Sequence, residues 1–328
     1  MLQVKLTTTS ADWPLQRQTP GESGIWGNCQ FLINQEVDSC DFWVVYDDLS
    51  ERQETRCPPQ NTLLITAEPP SVKTYPREFI RQFGTIVTCN RQIRAARVTY
   101  SQSSLPWHVG RRSKGHQNIS FSKNYDELAA MQSFEKKRLI SVITSDKKFT
   151  RGHRQRFELV NRLKQHFGPR LDVFGRGINE IEDKWDAIAG YRYHIALENC
   201  SYPDYWTEKL SDAYLAGAVP IYFGCPNVKE YFPERSVIPI SSDFSEAVAV
   251  IEKTLNDDPY MDLLPEVLQA RKLVLDTYNL FPRLHALINQ VAAADAPKTS
   301  VSLNPASRYT SALAGIGVKI NQYIHRFI

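Results

Sequence analysis

The residues with the clearest chemical pattern lie between positions 193 and 226, in the sequence YHIALENCSYPDYWTEKLSDAYLAGAVPIYFGCP. This pattern predicts a buried strand that ends at Glu198-Asn199, a polar and aromatic loop, and a helix that begins at Thr207-Glu208-Lys209. The free N–H groups and the dipole at the start of a helix favour an anion. A cation is unfavourable there unless an anion joins it, so Lys209 points to a phosphate ligand.

Other polar side chains of this segment suit a sugar-containing ligand. Glu208 can accept hydrogen bonds from sugar hydroxyls, and Asn199 and Tyr205 offer short-range polar contacts of the same sort. The alternative is that Glu208 and Lys209 only form the solvated start of a helix.

The densest basic cluster of the chain follows a predicted strand and enters a predicted helix. It comprises Lys147, Lys148, Arg151, Arg154 and Arg156. An arginine fork can clamp a phosphate through two parallel hydrogen bonds, so we expect a second anion ligand here. A solvated basic face is the alternative, and it is the favoured interpretation for Lys147 and Lys148.

Strand-sized apolar runs and helical patterns alternate in two series. The first series contains the predicted strands Leu2–Leu6, Phe42–Tyr46, Thr62–Thr66 and Thr85–Thr88. The second contains the strands Leu139–Thr144, Leu171–Phe174, Tyr193–Leu197, Val219–Phe223 and Ser236–Ile240, and the helices Arg151–Phe167, Thr207–Ala216, Phe244–Leu255 and Met261–Tyr278. Such alternation predicts the α/β class, with two Rossmann-like doubly wound domains that face each other across a cleft. Ligands of such sheets sit at the carboxyl ends of the strands.

The domain boundaries follow from these two series. We expect an N-terminal domain at 1–135, a C-terminal domain at 136–291, and a linker and tail at 292–328. Residues 101–137 are predicted to form a connection with a mobile loop. His108 and His116 lie in this stretch, and solvated histidines are the favoured interpretation, with contact to the acceptor as the alternative. The tail has apolar residues at helical spacing and few charges, which predicts a helix packed on the body or a neighbouring chain, or one lying on an anionic membrane surface.

Composition excludes several classes of protein. The 328 residues are 42% hydrophobic and carry a formal net charge of +3, from 39 Lys+Arg minus 36 Asp+Glu, which excludes a disordered chain and disfavours nucleic-acid binding. No signal-peptide core and no apolar run of spanning length is evident, and the six cysteines are scattered. We therefore expect reduced thiols and a cytoplasmic protein, peripheral to a membrane if the tail binds one.

The run ALEN…DYWTEKLSDAYLAGAVPIYFGCP resembles the signature of the α-1,3/1,4-fucosyltransferases, glycosyltransferase family ten. The similarity is dense over about thirty residues and continues downstream, whereas the first series resembles the family only in its strand pattern and one local feature. Ala196 and Trp206 depart from the family's usual residues, and neither departure removes a polar group.

The resemblance implies an inverting, GT-B type glycosyltransferase that moves fucose from GDP-fucose to a glycan hydroxyl. By matching positions, Lys209 contacts the diphosphate, Glu208 the ribose, Tyr205 the nucleotide, and Asn199 the fucose or phosphate. The family's phosphate-binding arginine matches Arg154. If the match is shifted along the chain, Arg151 or Arg156 takes this position instead.

An inverting transfer also needs a carboxylate that takes the proton of the acceptor hydroxyl. Glu68 follows a predicted strand in the context Thr66-Ala67-Glu68, which resembles the family's Thr-Gly-Glu, and it is the predicted base. Asp47 and Asp48, at the end of another predicted strand, are the alternatives.

No Asp-x-Asp motif is present, so the cations and the helix start are expected to neutralise the leaving group, with no essential metal. The acceptor we expect is an intermediate of a bacterial-type surface polysaccharide on the cytosolic side. The same fold with another nucleotide-sugar donor is one alternative, and a non-catalytic glycan- or nucleotide-binding protein is another.

Overall fold

The structure is a computed structural model, and it describes residues 1–10, 12–114, 117–144, 151–291 and 296–310. Within these ranges, no helix has the length and apolar character that crossing a membrane requires. The chain divides into two compact units. Among the described residues, unit 1 comprises 1–104, 117–118 and 280–310, and unit 2 comprises 105–114 and 119–279.

Unit 1 is built on a sheet of seven strands. Its first elements are β1 (Leu2–Thr8), β2 (Ile25–Trp26), β3 (Cys29–Ile33), β4 (Phe42–Tyr46), β5 (Gln53–Cys57), β6 (Thr62–Ile65), α1 (Arg77–Ile80), β7 (Thr85–Thr88) and β8 (Val98–Tyr100). The sheet order is β2-β3-β1-β4-β6-β7-β8, and all neighbours are parallel except β2 and β3. Every residue of β4, β6 and β7 is buried, as expected for parallel strands covered on both faces.

Unit 2 contains the second parallel sheet. Two strands and a helix precede that sheet: β9 (Arg111–Lys114), β10 (Gln117–Phe121) and α2 (Tyr125–Ala130). The main elements are β11 (Arg138–Ile143), α3 (Arg151–Phe167), β12 (Leu171–Phe174), α4 (Lys184–Ile188), β13 (Tyr191–Leu197), α5 (Glu208–Leu215), β14 (Val219–Phe223), β15 (Ile238–Pro239), α6 (Phe244–Asp257) and α7 (Tyr260–Leu273). The sheet order is β12-β11-β13-β14-β15, with all neighbours parallel.

The order of each sheet confirms the α/β class. In chain order the second sheet reads 2-1-3-4-5, a doubly wound arrangement whose direction of winding reverses between β11 and β13. The parallel part of the first sheet, β3-β1-β4-β6-β7-β8, begins in the same way. Helices such as α3 bury one apolar stripe, which includes Leu159, Val160, Leu163 and Phe167.

The chain divides differently from the predicted boundary at 135. Trp107, Val109 and Leu128 are buried in the core of unit 2, so the stretch after Ser104 is not a loose connection. His108 is also buried, with 6% of its surface exposed, and the prediction of a solvated histidine is wrong. His116 lies outside the described residues.

The boundary at 291 also differs, because the chain returns to unit 1 earlier. Helix α8 (Leu280–Val291) belongs to unit 1, where Phe281 packs edge-on against Phe31 with ring centroids 5.1 Å apart. Strand β16 (Thr299–Leu303) pairs antiparallel with β5, so this part of the predicted linker is a strand that packs on unit 1. The predicted tail helix lies almost wholly outside the described residues, which end at Thr310.

Candidate functional site

The carboxyl ends of β11 and β13 lie side by side where the winding of the second sheet reverses, which is the usual ligand-binding edge of such folds. Glu198 and Asn199 follow β13, and Thr144 follows β11. A Cβ atom on Gly175 would lie 1.6 Å from the carbonyl oxygen of Thr144. Only glycine permits this close approach, which packs the end of β12 against the end of β11.

Glu198 fixes the start of α5. Its Oε1 accepts the backbone N–H of Thr207 at 2.8 Å, and its Oε2 accepts the Thr207 hydroxyl at 2.8 Å. Thr207 is the N-cap of α5, and its hydroxyl oxygen accepts the backbone N–H of Lys209 at 3.3 Å. Burial raises the pKa of Glu198, against the opposing charge of Lys209. From the sequence, Glu198 is predicted only as the end of a strand. The signal for its capping role is a carboxylate that follows an apolar strand and precedes a threonine at the start of a helix.

Lys209 and Glu208 form an ion pair rather than a solvated helix start. The Lys209 Nζ lies 3.1 Å from Glu208 Oε1 and 3.5 Å from Glu198 Oε2. Burial alone would raise the pKa of Glu208, but the positive charges of Lys209 and Lys184 hold that pKa well below its usual range. Lys209 thus already has carboxylate partners, so its position does not by itself require a phosphate ligand.

Helix α3 supplies an arginine that contacts Asn199. The Arg156 Nη1 donates to Asn199 Oδ1 at 2.7 Å, and burial lowers the pKa of Arg156 despite the nearby charges of Glu208 and Glu198. The side chain of Tyr205 is buried and contributes to the electrostatic environment of Arg156. The structure therefore brings Asn199, Tyr205, Glu208 and Lys209 together with Arg156, one of the two alternatives to Arg154 as the phosphate-binding arginine.

The other basic residues of the predicted cluster lie elsewhere. Arg154 and Arg151 are exposed, so Arg156 is the member of the cluster that lies beside Asn199. The phosphate-binding role of Arg154 stays a prediction. Lys147 and Lys148 lie outside the described residues.

A second layer of charged groups lies beneath Glu208. The Lys184 Nζ is 3.5 Å from Glu208 Oε1 and 3.6 Å from Asp212 Oδ2. Asp212 Oδ1 accepts the backbone N–H groups of His108 and Val109 at 2.9 and 3.1 Å. Burial raises the pKa of Asp212 to about 6 and lowers the pKa of His108 well below its usual range. This layer was missed from sequence because its members are 104 residues apart along the chain.

The carboxyl edge of the first sheet holds the predicted base and its alternatives. Asp47 follows β4, and Glu68 lies three residues beyond the end of the neighbouring strand β6. Glu68 is buried, with 7% of its surface exposed, and its backbone N–H donates to the Tyr75 hydroxyl at 3.4 Å. The Tyr75 hydroxyl in turn donates to Asp47.

Asp47 and Asp48 are held by a lysine and by backbone groups. The Lys73 Nζ lies 2.8 Å from Asp47 Oδ2 and 3.4 Å from Asp48 Oδ2. Asp48 Oδ1 also accepts the backbone N–H groups of Leu49 and Ala306 at 2.8 and 2.9 Å. Both carboxylates thus fasten the loops of unit 1, which leaves Glu68 as the better candidate for the base.

No group of three or more His, Cys, Asp or Glu side chains suited to a metal ion occurs in the part of the chain that the structure describes. The prediction that no metal is essential stays a prediction.

Comparisons with known proteins concern the region around this site. Residues 133–261 match the family model described as Glycosyltransferase family 10 (fucosyltransferase) C-term. An Alpha-(1,4)-fucosyltransferase from Arabidopsis thaliana is 43% identical over 87 residues, which make up 25% of this chain and 22% of that protein. A GDP-fucose protein O-fucosyltransferase 3 from Xenopus laevis is 41% identical over 81 residues, or 24% of this chain and 17% of that protein. The chain thus spans about a fifth of the length of the curated relatives it matches.

Among solved structures, an alpha1,3-fucosyltransferase crystallised with GDP is similar, with a TM-score of 0.48 and 15% sequence identity. The similarity covers 85% of this chain and 92% of that chain. The resemblance predicted from the sequence is confirmed over residues 133–261 by the family model and by the relatives.

Proposed function

We propose that this chain, whose residues 133–261 match the C-terminal model of the family 10 fucosyltransferases, transfers fucose from GDP-fucose to a hydroxyl of a glycan acceptor. The observation that supports the proposal most strongly is that the start of α5 lies inside the matched region. There, Lys209 and Arg156 lie beside Asn199, Tyr205 and Glu208 at the ligand-binding edge of the sheet.

The donor is proposed to bind at this edge of unit 2. Lys209 contacts the diphosphate, Glu208 the ribose, Tyr205 the nucleotide, and Asn199 the fucose or a phosphate oxygen, while Arg154 is the proposed second phosphate ligand. Cations and helix N–H groups in a partly dry site stabilise the negative charge that develops on the leaving diphosphate. Because Glu198 holds Thr207 and thus the first turn of α5, these donors are in place before the substrate arrives.

The proposed reaction is a single displacement with inversion at the anomeric carbon. The acceptor oxygen forms a bond to that carbon as the bond to the GDP oxygen breaks, and the electron pair of that bond leaves with GDP. The proton of the acceptor hydroxyl passes to the carboxylate of Glu68.

A Glu68→Gln variant tests the base. The expected result is a loss of turnover between about 10² and 10⁴-fold, because the amide cannot take the proton, with unchanged affinity for GDP. The measurement is the initial rate of GDP release with GDP-fucose and a panel of β-galactoside and GlcNAc acceptors. The matched control is Glu51→Gln, which changes an exposed carboxylate of the same unit. Full turnover in the Glu68→Gln variant would remove this residue from the mechanism.

Thermal-shift measurements with GDP and UDP test the donor separately. We expect a rise in the unfolding midpoint with GDP and none with UDP, because a ligand that binds only the folded state stabilises it. Stabilisation by UDP alone would indicate that this chain uses another nucleotide-sugar donor with the same fold. Binding of GDP without transfer to any acceptor, in wild-type protein, would favour a non-catalytic nucleotide-binding protein.

A further inference from the structure

Cys40 and Cys57 lie side by side in unit 1. Ser39 and Arg56 form a parallel bridge, in which the Cys40 N–H donates to the carbonyl oxygen of Arg56 at 2.9 Å and the Arg56 N–H donates to that of Asp38 at 3.0 Å. The two cysteines are the next residues along the two segments that form this bridge. Ser39 and Arg56 are exposed and both cysteines are buried, so the two thiols lie on the same, inner face.

This arrangement has the backbone geometry that a disulfide bond needs. Neighbouring strands lie about 4.8 Å apart, and the Cα atoms of disulfide-bonded cysteines are usually about 4.4 to 6.8 Å apart. The register of the bridge therefore brings the two Cα atoms within the range that a disulfide requires. The side chains are also in contact, because a hydrogen bond joins the Cys40 and Cys57 thiols.

The two thiols differ in how readily each loses its proton. The hydrogen bond from Cys57 lowers the pKa of Cys40, and the charges of Lys5 and Lys298 act in the same direction, against the effect of burial. The same hydrogen bond, together with burial, raises the pKa of Cys57 far above its usual range. Lys5 is itself buried, with its Nζ 4.7 Å from the centroid of the Trp43 ring. Since the thiolate is the nucleophile of disulfide exchange, Cys40 is the sulfur that attacks first.

We propose that Cys40 and Cys57 form a disulfide bond by exchange with a low-molecular-weight disulfide such as oxidised glutathione. The Cys40 thiolate attacks one sulfur of this reagent, and the first glutathione leaves as a thiolate. The Cys57 thiol then loses its proton to solvent and attacks the Cys40 sulfur, and the second glutathione leaves. In sum, two cysteine thiols are oxidised to one disulfide, the reagent is reduced to two thiols, and the two cysteine protons are balanced by those that the two glutathiones take up.

The bond closes a loop that carries part of the carboxyl edge of the first sheet. The loop spans residues 40–57 and contains β4 together with Asp47 and Asp48. Cys57 is the last residue of β5, which pairs with β16, so the crosslink also ties this pair of strands to the segment before β4. A crosslink of this kind restricts the unfolded chain and thereby stabilises the folded one. The expectation of reduced thiols then holds for this pair only where a reductant is present.

Oxidation in a glutathione buffer tests the proposal. One sample is refolded from urea and a second is incubated in its native state, both with excess oxidised glutathione, and free thiols are then blocked. Peptide mapping by mass spectrometry is expected to show a crosslink between Cys40 and Cys57, which forms more slowly in the native sample because both thiols are buried. Free thiols at both positions in both samples, or a crosslink of either residue to another cysteine as the main product, would overturn the proposal.

The unfolding midpoint measures what the bond does. We expect the oxidised wild-type protein to unfold about 5 to 10 °C above the same protein kept in dithiothreitol. Cys57→Ala removes one of the two sulfurs, so the midpoint of this variant is expected to be the same in both buffers. Because each protein is compared with itself, the packing lost in the variant cancels. A shift of wild-type size in Cys57→Ala would show that the stabilisation comes from another source.

The matched control is Cys29→Ala, which removes a different buried thiol of the same unit. Cys29 lies on β3, and its Sγ contacts the Oδ1 of Asn28 at 3.6 Å. Its replacement leaves Cys40 and Cys57 in place, so both the crosslink and the shift of the midpoint are expected to persist. Loss of both in this control would mean that Cys29 takes part in the bond, and would overturn the assignment to Cys40 and Cys57.

Discussion

Two lysines, one in each unit, lie between pairs of carboxylates at the carboxyl edge of a parallel sheet. The first cluster comprises Lys73, Asp47 and Asp48, and the second comprises Lys209, Glu208 and Glu198. The distances are similar: 2.8 and 3.4 Å in the first cluster, against 3.1 and 3.5 Å in the second. In both clusters the lysine side chain is largely buried, with 10% exposed for Lys73 and 20% for Lys209.

The clusters differ in what surrounds them. Both clusters receive further donors from the chain: the Tyr75 hydroxyl and the Ala67 N–H on Asp47, and the N–H and hydroxyl of Thr207 on Glu198. The difference lies in the cations. In the second cluster, Lys184 and Arg156 add further positive charge, and the Arg156 Nε is buried without a partner among the described residues.

A lysine between two carboxylates is therefore not a sign of ligand binding by itself. The first cluster uses its lysine to fasten the loops that follow β4 and β6. The second cluster has more cations and an unused donor, which suits an incoming anion. The difference lies in the groups around the ion pair, and substitutions of the two lysines make it measurable.

The largest effect is expected from Lys73→Met. This change leaves Asp47 and Asp48 buried without their cation, which costs roughly 3 to 5 kcal/mol of unfolding free energy. The measurement is urea denaturation of the purified variant, with GDP affinity as a second readout that is expected to stay unchanged. A variant of normal stability with weakened GDP binding would reverse the assignment of the first cluster.

The control for Lys73→Met is Arg52→Met in the same unit. Arg52 forms an exposed ion pair with Glu54 at 3.2 Å, and such pairs contribute about 1 kcal/mol or less. A loss of stability as large as that of Lys73→Met would show that burial is not what distinguishes the first cluster.

Much of the fold was predictable because local sequence carries it. The bounds of β4, β7, β12, β14 and α3 agree with prediction, since short apolar runs and a regular apolar stripe define them. The C-terminal part was not predictable in this way. The polar strand Thr299–Leu303 is a strand only because β5 lies beside it, and Phe281 joins unit 1 only because Phe31 offers a face to pack against.

The candidate site was likewise predictable where its residues are close together in the sequence. Asn199, Tyr205, Glu208 and Lys209 lie within eleven consecutive residues, so their grouping was visible in the sequence. Arg156 and Asp212 join the site through contacts 43 and 104 residues apart in the chain, and no local pattern distinguishes Arg156 from Arg154. Which arginine of α3 faces Asn199 depends on the rotation of the helix, which Gly152 fixes by its close approach.

The pH dependence of unit 2 sharpens the comparison, because Asp212 has a raised pKa of about 6. Between about pH 4 and pH 6 the folded chain holds a proton on Asp212 that the unfolded chain releases. The unfolding free energy therefore falls as the pH rises through this window, by up to about 3 kcal/mol. Above about pH 6, Asp212 causes no further change in the unfolding free energy. Asp212→Asn removes this fall. The measurement is urea denaturation of both proteins from pH 4 to pH 7, and parallel pH profiles would contradict the assignment.

Among these substitutions, Lys209→Met is expected to cause the smallest loss of unfolding free energy. It is also the most direct test of the difference between the two clusters. Without Lys209, Glu208 still has Lys184 and Glu198 still accepts from Thr207, so the loss of stability is expected to be smaller than for Lys73→Met. GDP affinity is expected to fall about 10- to 100-fold, because a charged hydrogen bond to the diphosphate contributes roughly 1.5 to 3 kcal/mol. Calorimetric titration measures it, with the exposed Lys229→Met as control. If Lys209→Met lost as much stability as Lys73→Met and bound GDP normally, both lysines would be structural, and the two clusters would differ in sequence but not in role.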